Sequence, residues 1–390
     1  DYFAQFFSPL AWPKQFFAWV SSFFVIVLNF TTEGAKFIFG DLAISPGTEN
    51  SMGMFFAFQV LPTIIFFASL MAVLYYLGIM QRIVQVMAWI MAKLLGTSGA
   101  ESLSATANIF VGQTEAPLMI KPYIKNMTNS EILTIMVGGM ATVAGGVMAA
   151  YIQILSVTFA EVMNLSLGDA QLMFATHLLG ASVMAAPAGL IMSKIIYPET
   201  EIPETRGEVK VEIEKTSSNV IEAAATGASD GLQLALNVAA MLLAFIALIA
   251  LSNYMLEGIG NLLGVNSFLI AEYGKPLNLQ FILGFVLQFL AYGIGVPWES
   301  AMQFGSLFGT KIVLNEFVAY FDMSSLIATK EMINEKTILM ATYALCGFAN
   351  FSSIAIQIGG LSPLAPNRKS DFAKLGLKAL VGGALSTLMT

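Results

Sequence analysis

Two glutamates stand inside apolar stretches, and each follows side chains that carry amide or hydroxyl groups. Glu115 comes directly after Gln113 and Thr114, and Glu316 comes directly after Asn315. A carboxylate inside a lipid bilayer costs several kcal/mol, so it is retained where it has partners or a task. The two glutamates therefore mark the places where this sequence could bind a ligand.

The groups around these glutamates indicate the class of ligand. Asn350 and Ser353 add a further amide and hydroxyl later in the chain. Such a set suits a neutral ligand rich in hydroxyls and ring nitrogens, and it lacks the Arg or Lys that a phosphate or carboxylate ligand requires. The ring of Phe348 could stack on a planar ligand or pack as an ordinary core residue.

Two other interpretations of the carboxylates are open. Glu316 could form a buried structural ion pair with Lys311, which lies five residues earlier. Paired carboxylates also carry out glycoside hydrolysis. Because no metal-ligand set and no nucleophile–base pair accompanies them, the sequence does not favour an enzyme, and no catalytic residue is expected.

A second group of residues could bind a hard cation such as sodium, which prefers oxygen ligands. Asn108 and Thr142 offer an amide and a hydroxyl near predicted helix breaks, where backbone carbonyls are free. Helix capping is the alternative role for both side chains. The single histidine, His177, and the single cysteine, Cys346, are expected to be packing residues. One residue of each type is too few for a disulfide framework or a Cys/His zinc site.

The composition is that of an integral membrane protein. The 390 residues are 57% hydrophobic and 11% charged, against about 25% charged residues in soluble domains. Lipid must therefore cover much of the chain. No basic run suggests nucleic-acid binding, and residue 1 is Asp, with no cleavable signal peptide recognised after it. Spans are predicted at residues 16–30, 52–80, 132–160, 170–193, 232–256, 337–367 and 375–389.

The order of elements predicts an all-α polytopic membrane protein with about eight transmembrane helices, two re-entrant hairpins, interfacial helices and an internal inverted repeat. Residues 81–95 and 278–298 are expected to lie in the interface. The first repeat is predicted at about 54–197, with a hairpin of two half-helices at 98–126 and a broken span at 131–158. The second is predicted at about 231–390, with a hairpin at 299–326 and a broken span at 337–362. All 390 residues then form one transporter domain.

A polar linker at residues 198–219 separates the two predicted repeats. Basic residues near the span ends can all share one side of the membrane, whereas Glu161 and Asp169 border a loop without Lys or Arg. By the positive-inside rule the basic side is cytoplasmic. The basic set is Lys121, Lys125, Lys194, Arg206, Lys210, Arg368, Lys369, Lys374 and Lys378.

Three pieces of the sequence, in this order, resemble the concentrative nucleoside transporter family. They are residues 112–117 (Gly-Gln-Thr-Glu-Ala-Pro), 311–320 (Lys-Ile-Val-Leu-Asn-Glu-Phe-Val-Ala-Tyr) and 346–353 (Cys-Gly-Phe-Ala-Asn-Phe-Ser-Ser). The resemblance extends from about residue 55 to the C-terminus, and the three pieces together are highly specific. The length is typical of a bacterial member with a shorter N-terminal part.

The resemblance implies a role for each motif residue. The nucleobase would face Gln113, Thr114, Glu115 and Val147, and the ribose would contact Glu316, Asn350 and Ser353, with Phe348 lining the same pocket. Sodium would bind the side chains of Asn108 and Thr142 and the carbonyls of Val111 and Val143. Family members often have Ser where Thr142 stands, and Thr keeps the hydroxyl.

The resemblance also implies a mechanism. Its members are homotrimers whose transport domain moves as an elevator, so the chain would import nucleosides such as uridine or adenosine through the bacterial inner membrane with a sodium gradient. Proton coupling and another small polar solute are the alternatives. The residues themselves do not favour three other classes of membrane protein. An amino-acid carrier needs a cationic group for the substrate carboxylate, and a channel needs polar stripes along several spans. A purely structural bundle would not retain two glutamates inside the membrane.

Overall fold

The computed structural model describes residues 8–44, 51–207 and 217–390, with side chains described from residue 18 onward. The described residues contain no strand. Fifteen helices of nine residues or more follow one another along them. They are α1 Ser8–Phe39, α2 Leu61–Tyr76, α3 Ile79–Leu95, α4 Gly99–Ala107, α5 Asn129–Ala141, α6 Gly145–Met163, α7 Leu167–Ile196, α8 Val220–Leu262, α9 Val265–Tyr273, α10 Leu279–Gly293, α11 Trp298–Val313, α12 Glu316–Ala328, α13 Glu335–Leu345, α14 Phe351–Leu361 and α15 Lys369–Met389.

Six helical segments within the described residues are long and apolar enough to cross a bilayer, and they match six of the seven predicted spans. They lie in α1, α2, α5 with α6, α7, α8 and α15. The seventh predicted span, 337–367, consists of the two short helices α13 and α14. Helices α10 and α11 are long and apolar enough to cross a bilayer only when they are taken together, and they are bent by 119° at their junction. The multi-pass all-helical architecture is therefore confirmed.

The first hairpin and the broken span after it begin with the same capping signal. Ser98 and Thr128 each accept a hydrogen bond from the backbone N–H three residues on, and Glu101 and Glu131 bond back to the two caps. These capping boxes start α4 and α5 and satisfy N–H groups that have no helical partner. The Ser98 hydroxyl also donates to Glu131 over 2.6 Å, so the two helix starts are joined.

The second arm of the first hairpin differs from the sequence prediction of two half-helices. After α4 the chain forms only a 3-10 turn, Ala116–Ile120, and one short helical turn, Lys121–Ile124. Pro117 and Pro122 lack the backbone N–H that a continuous helix requires, which explains the interruption. The second hairpin has two true helices, α11 and α12, that meet at Leu314 and Asn315.

The first broken span, α5 with α6, sits in the interior, whereas α8 lies largely at the surface. Of an apolar 18-residue stretch in α5 and α6, 83% is buried inside the protein, whereas only 17% of such a stretch in α8 is buried. Large apolar side chains such as Leu243, Tyr254 and Leu262 project outward from α8. In a membrane this apolar surface is covered by lipid or by another protein chain.

Three residues of the predicted basic set contact residues at or next to the ends of neighbouring helices. Arg368 donates to the carbonyl of Met127 and to Asn129. Lys194 forms an ion pair with Glu101, and the ammonium group of Lys378 lies 5.0 Å from the centre of the Tyr197 ring. Residues 208–216 of the predicted linker, with Lys210, lie outside the described residues, and α8 begins directly after residue 219.

Candidate functional site

The carboxylate of Glu316 is buried, and two side chains from other elements bind it. It is 4% exposed at the first position of α12, where the positive end of the helix dipole favours a negative charge. The hydroxyl of Tyr151 donates to Oε1 over 2.9 Å, and the amide of Asn350 donates to Oε2 over 3.0 Å. Glu316 thus links the second hairpin to α6 and to the break between α13 and α14.

Asn350 caps the start of α14 with its amide oxygen, while its amide nitrogen donates to Glu316. Its Oδ1 accepts from the backbone N–H of Ser353 over 2.9 Å, as an N-cap does, and from the hydroxyl of Ser352 over 2.6 Å. The amide of Gln113, from the first hairpin, donates to the hydroxyl oxygen of Ser353 over 3.2 Å. One chain of hydrogen bonds therefore runs from Tyr151 through Glu316, Asn350 and Ser353 to Gln113.

Glycines allow the two halves of the chain to approach closely at this point. A Cβ on Gly360 of α14 would lie 2.8 Å from the side chain of Thr114, and one on Gly139 of α5 would lie 2.9 Å from that of Gln113. Real Cβ atoms keep longer distances, so a side chain at either place would force its neighbour to shift. Thr114 and Gln113 are therefore packed against α14 and α5, respectively.

The two broken spans cross at their breaks. Gly347 has φ +116°, and a Cβ there would lie 2.5 Å from the carbonyl oxygen of Ala141, the last residue of α5. Phe348 follows immediately and is half-buried beside the polar chain. The break that carries Asn350 thus sits directly against the break that carries Thr142.

Glu115 and Val147 lie in a different place from Glu316. They line a cavity of about 360 Å³ that the first hairpin tip, α2, α6 and α8 enclose. Asp230 of α8 lines the same cavity, and the carboxylate of Glu115 accepts from the backbone N–H of Gly112. The structure therefore divides the predicted substrate residues into a buried group around Glu316 and a cavity group around Glu115.

The four residues predicted to bind sodium lie at two adjacent breaks. The N–H of Gly145 donates to the carbonyl of Phe110 over 3.2 Å, which joins the hairpin tip to the break after α5. Thr142 donates to the carbonyl of Gly138 over 2.8 Å, and a Cβ on Gly138 would lie 3.7 Å from the amide nitrogen of Asn108. Asn108 and Thr142 therefore flank the same glycine.

Several oxygens at these breaks have no donor. The amide oxygen of Asn108, 1% exposed, has no hydrogen-bond partner. Within the described ranges, no backbone N–H donates to the carbonyls of Val111 and Val143 either. Buried oxygens without a donor are costly and are what a hard cation binds. No group of three or more His, Cys, Asp or Glu side chains among the described residues could hold a metal ion.

Lys311 is not paired with Glu316, so the alternative of a structural ion pair between them is wrong. Its ammonium group donates to the carbonyl of Ala344 over 2.7 Å and to the hydroxyl of Thr387 over 3.1 Å. His177 is half-buried, and its Nδ1 shares a hydrogen bond of 3.0 Å with the hydroxyl of Tyr343, which is what a satisfied packing histidine does.

Sequence reasoning missed some residues that the structure places at these sites. Tyr151 lies four residues after Val147, on the same face of α6, and this spacing is the signal that could have identified it. Asp230 precedes the apolar run of α8, and its charge was visible in the sequence. Gln81 and Tyr75, at the cavity wall, gave no signal beyond their type.

Comparisons with known proteins give consistent results. Residues 177–390 match the family model described as "Na+ dependent nucleoside transporter C-terminus", and residues 57–158 match "Nucleoside recognition". An uncharacterized transporter, YutK, of Bacillus subtilis is 47% identical over 97% of this chain and 85% of its own length. The nucleoside permease NupC of Helicobacter pylori is 44% identical over 93% of this chain and 81% of its own length.

A solved structure is similar over nearly the whole chain. The transporter CNTnw in an inward-facing substrate-bound state superposes with a TM-score of 0.82. It is 44% identical, and the match covers 96% of this chain and 84% of CNTnw.

Proposed function

This chain belongs to the concentrative nucleoside transporter family, and we propose that it is a secondary active symporter that imports nucleosides with a sodium gradient. One observation carries the substrate assignment. The hydrogen-bond chain from Gln113 through Ser353 and Asn350 to Glu316 joins the first hairpin to the second at the crossing of two broken spans. Secondary transporters bind their substrates at such crossings of broken helices.

The ribose is assigned to the buried group. Glu316 is a carboxylate whose oxygens accept hydrogen bonds, and Asn350 and Ser353 supply an amide and a hydroxyl beside it. Two ribose hydroxyls can donate to the carboxylate in place of the protein donors that it now binds. Phe348 is assigned to the same pocket, where its half-buried ring would pack against a ring of the ligand.

The nucleobase is assigned to the tip of the first hairpin. Gln113 and Thr114 carry an amide and a hydroxyl, and the unpaired Oε1 of Gln113 is one acceptor for a base N–H. Glu115 and Val147 line the neighbouring cavity, which offers a second carboxylate and an apolar wall. Amide and carboxylate groups suit the polar edges of a base, and no Arg or Lys lines this cavity in the described residues.

Sodium is assigned as the coupling ion, transported together with the nucleoside. The Asn108 amide oxygen, the Thr142 hydroxyl and the carbonyls of Val111 and Val143 would be its ligands. The unpaired oxygens at the two breaks support this set. Because the same hairpin carries Asn108 and Gln113, an ion bound at the first stabilises the tip that bears the second. Sodium and nucleoside then raise each other's affinity equally.

The assembly and the mechanism follow the family. We propose a homotrimer in the bacterial inner membrane, with a transport domain that slides as an elevator between the two faces and the basic end of the bundle in the cytoplasm. The apolar outer surface of α8 supports a helix that faces lipid or a second copy of this chain. The net charge and the absence of a basic run support no role for nucleic acid.

The proposal is tested by uptake of radiolabelled uridine into proteoliposomes, with inward sodium and proton gradients imposed separately. Uptake driven by sodium is the expected result. Uptake driven only by protons would retain the nucleoside carrier and replace sodium with the alternative coupling ion. If uridine, adenosine and cytidine all fail with either gradient, a different small polar solute is the substrate.

A further inference from the structure

Lys311 is a fully buried lysine whose ammonium group forms no direct ion pair with a carboxylate in the described residues. It is 0% exposed, and in the described part of the chain no acidic oxygen lies within 4.0 Å of its ammonium nitrogen. Its two hydrogen-bond acceptors are neutral, Ala344 and Thr387, and its third neighbour is the ring of Phe308 at 5.7 Å. Burying a lysine in this way costs free energy that a leucine or methionine would not, so a specific task is the better explanation.

The carbonyl that accepts from Lys311 lies at a helix end, which points to a role in holding that end. Ala344 is in the last turn of α13, where backbone carbonyls have no partner within the helix and the helix dipole is negative. A cation is therefore favoured at this end. Tyr320 of the second hairpin adds a second clamp, since its hydroxyl donates to the carbonyl of Thr342 over 2.9 Å. Lys311 and Tyr320 flank Glu316 in sequence, so both clamps come from the hairpin that carries this carboxylate.

The break that these clamps hold is the one that presents Asn350. The end of α13 leads through four residues to Asn350, whose amide binds Glu316 over 3.0 Å. The second hairpin therefore contacts both sides of the break: Lys311 and Tyr320 bind the end of α13, and Glu316 binds the residue that starts α14. Their relative position sets the distance between the Glu316 carboxylate and the Asn350 amide.

The first break offers a contrast. At the end of α5 no lysine reaches the corresponding carbonyls in the described residues, and the unpaired oxygens of Asn108, Val111 and Val143 remain. That break is where the proposed sodium ion binds. Free backbone carbonyls at both breaks would thus be stabilised by a positive charge. At the first break this is an exchangeable ion, and at the second it is the lysine side chain of the chain itself.

We propose that Lys311 is a positioning residue: its ammonium group is a fixed cation that holds the break between α13 and α14 so that Asn350 meets Glu316. The substrate part of this inference rests on the proposed function, whereas the structural part rests only on the contacts of Lys311. The chain supplies a natural reporter, because its single cysteine, Cys346, lies in this break and is 1% exposed.

The first test is the rate at which Cys346 reacts with N-ethylmaleimide in the purified full-length protein. In the unaltered protein the rate should be slow, with complete reaction only after denaturation. Lys311→Met should raise the rate at least about tenfold, because a hydrogen bond to a charged donor contributes more than a neutral one. Thr387→Val, which removes one acceptor only, should raise it less. Lys336→Met is the control, since Lys336 is an exposed lysine in the first turn of α13, the helix whose other end Lys311 binds.

The second test separates positioning from a merely structural role. If Lys311 positions Asn350, Lys311→Met and the milder Tyr320→Phe should raise the KM for nucleoside uptake with a smaller change in maximal rate per folded protein. A purely structural role predicts less folded protein with an unchanged KM. Monodisperse elution on size exclusion confirms folding, and Tyr320→Phe keeps the test decisive if Lys311→Met does not fold.

An unreactive Cys346 in Lys311→Met, with unchanged KM, would overturn the proposal. The labelling result does not require that a nucleoside be the substrate. If the unaltered protein takes up no nucleoside, the proposed function fails, while the labelling rates still decide whether Lys311 holds the break.

Discussion

The amide of Gln113 donates a hydrogen bond of 3.2 Å to the hydroxyl oxygen of Ser353, although 240 residues separate them in the sequence. Gln113 stands at the tip of the first hairpin, and Ser353 stands in the first turn of α14, where Asn350 caps its backbone. This contact connects the nucleobase and ribose sides of the proposed substrate site. A substitution at either residue should therefore change the effect of a substitution at the other on nucleoside binding.

The Gln113–Ser353 contact predicts a measurable coupling. Gln113→Ala and Ser353→Ala should each weaken nucleoside binding, and the double variant should weaken it by less than the sum of both. The coupling free energy should be about 1 kcal/mol, the usual net value of one hydrogen bond. A double-mutant cycle on nucleoside affinity measures it. Additive effects would show that the two residues bind the ligand independently.

Glu316→Gln should abolish nucleoside uptake and leave the protein folded. The carboxylate accepts from Tyr151 and Asn350, whereas a glutamine at this position places an N–H₂ group against one of these two donors. Uptake into proteoliposomes and size exclusion are the two measurements. Glu331→Gln is the matched control, because Glu331 is in an exposed ion pair with Lys275. Normal uptake by Glu316→Gln would remove the ribose assignment.

Asn108→Ala should shift the sodium dependence of uptake to higher concentration and alter the order of preferred nucleosides much less. The substitution removes a buried amide oxygen that has no hydrogen-bond partner and is therefore available to the ion. Uptake is measured over a range of sodium concentrations for two nucleosides. Asn126→Ala, at an exposed asparagine that contacts Glu204, should behave as the unaltered protein does. An unchanged sodium curve for Asn108→Ala would place the ion elsewhere.

Gly347→Ala should lower the thermal stability and the uptake rate together. Its φ of +116° is strained for any residue with a side chain, and the added Cβ would meet the carbonyl of Ala141. The cost is on the order of 1–3 kcal/mol before any relaxation. Gly258→Ala in α8 is the control, because a Cβ there meets nothing within 4 Å. Equal melting temperatures for the two variants would show that the breaks are not closely packed.

The membrane spans and their breaks could be read from the sequence because both depend on local properties. Hydrophobic length gave six of the seven predicted spans, and the capping boxes at Ser98 and Thr128 start helices where the pattern S/T-x-x-E stands. The second arm of the first hairpin was the local error, since Pro117 and Pro122 leave it without a regular helix. The division into two repeats and the residue roles stay predictions.

The sequence by itself determined that this is a multi-pass helical protein of the nucleoside transporter family, since composition, span length and three contiguous motifs are all local. Only the tertiary structure decided which partner each polar group has. Glu115 and Glu316 look alike in sequence, yet one lines a cavity and the other is buried against Tyr151 and Asn350. Likewise Lys311 binds a helix end and not the nearby glutamate. These choices depend on how segments up to 240 residues apart pack together, and no local pattern specifies that packing.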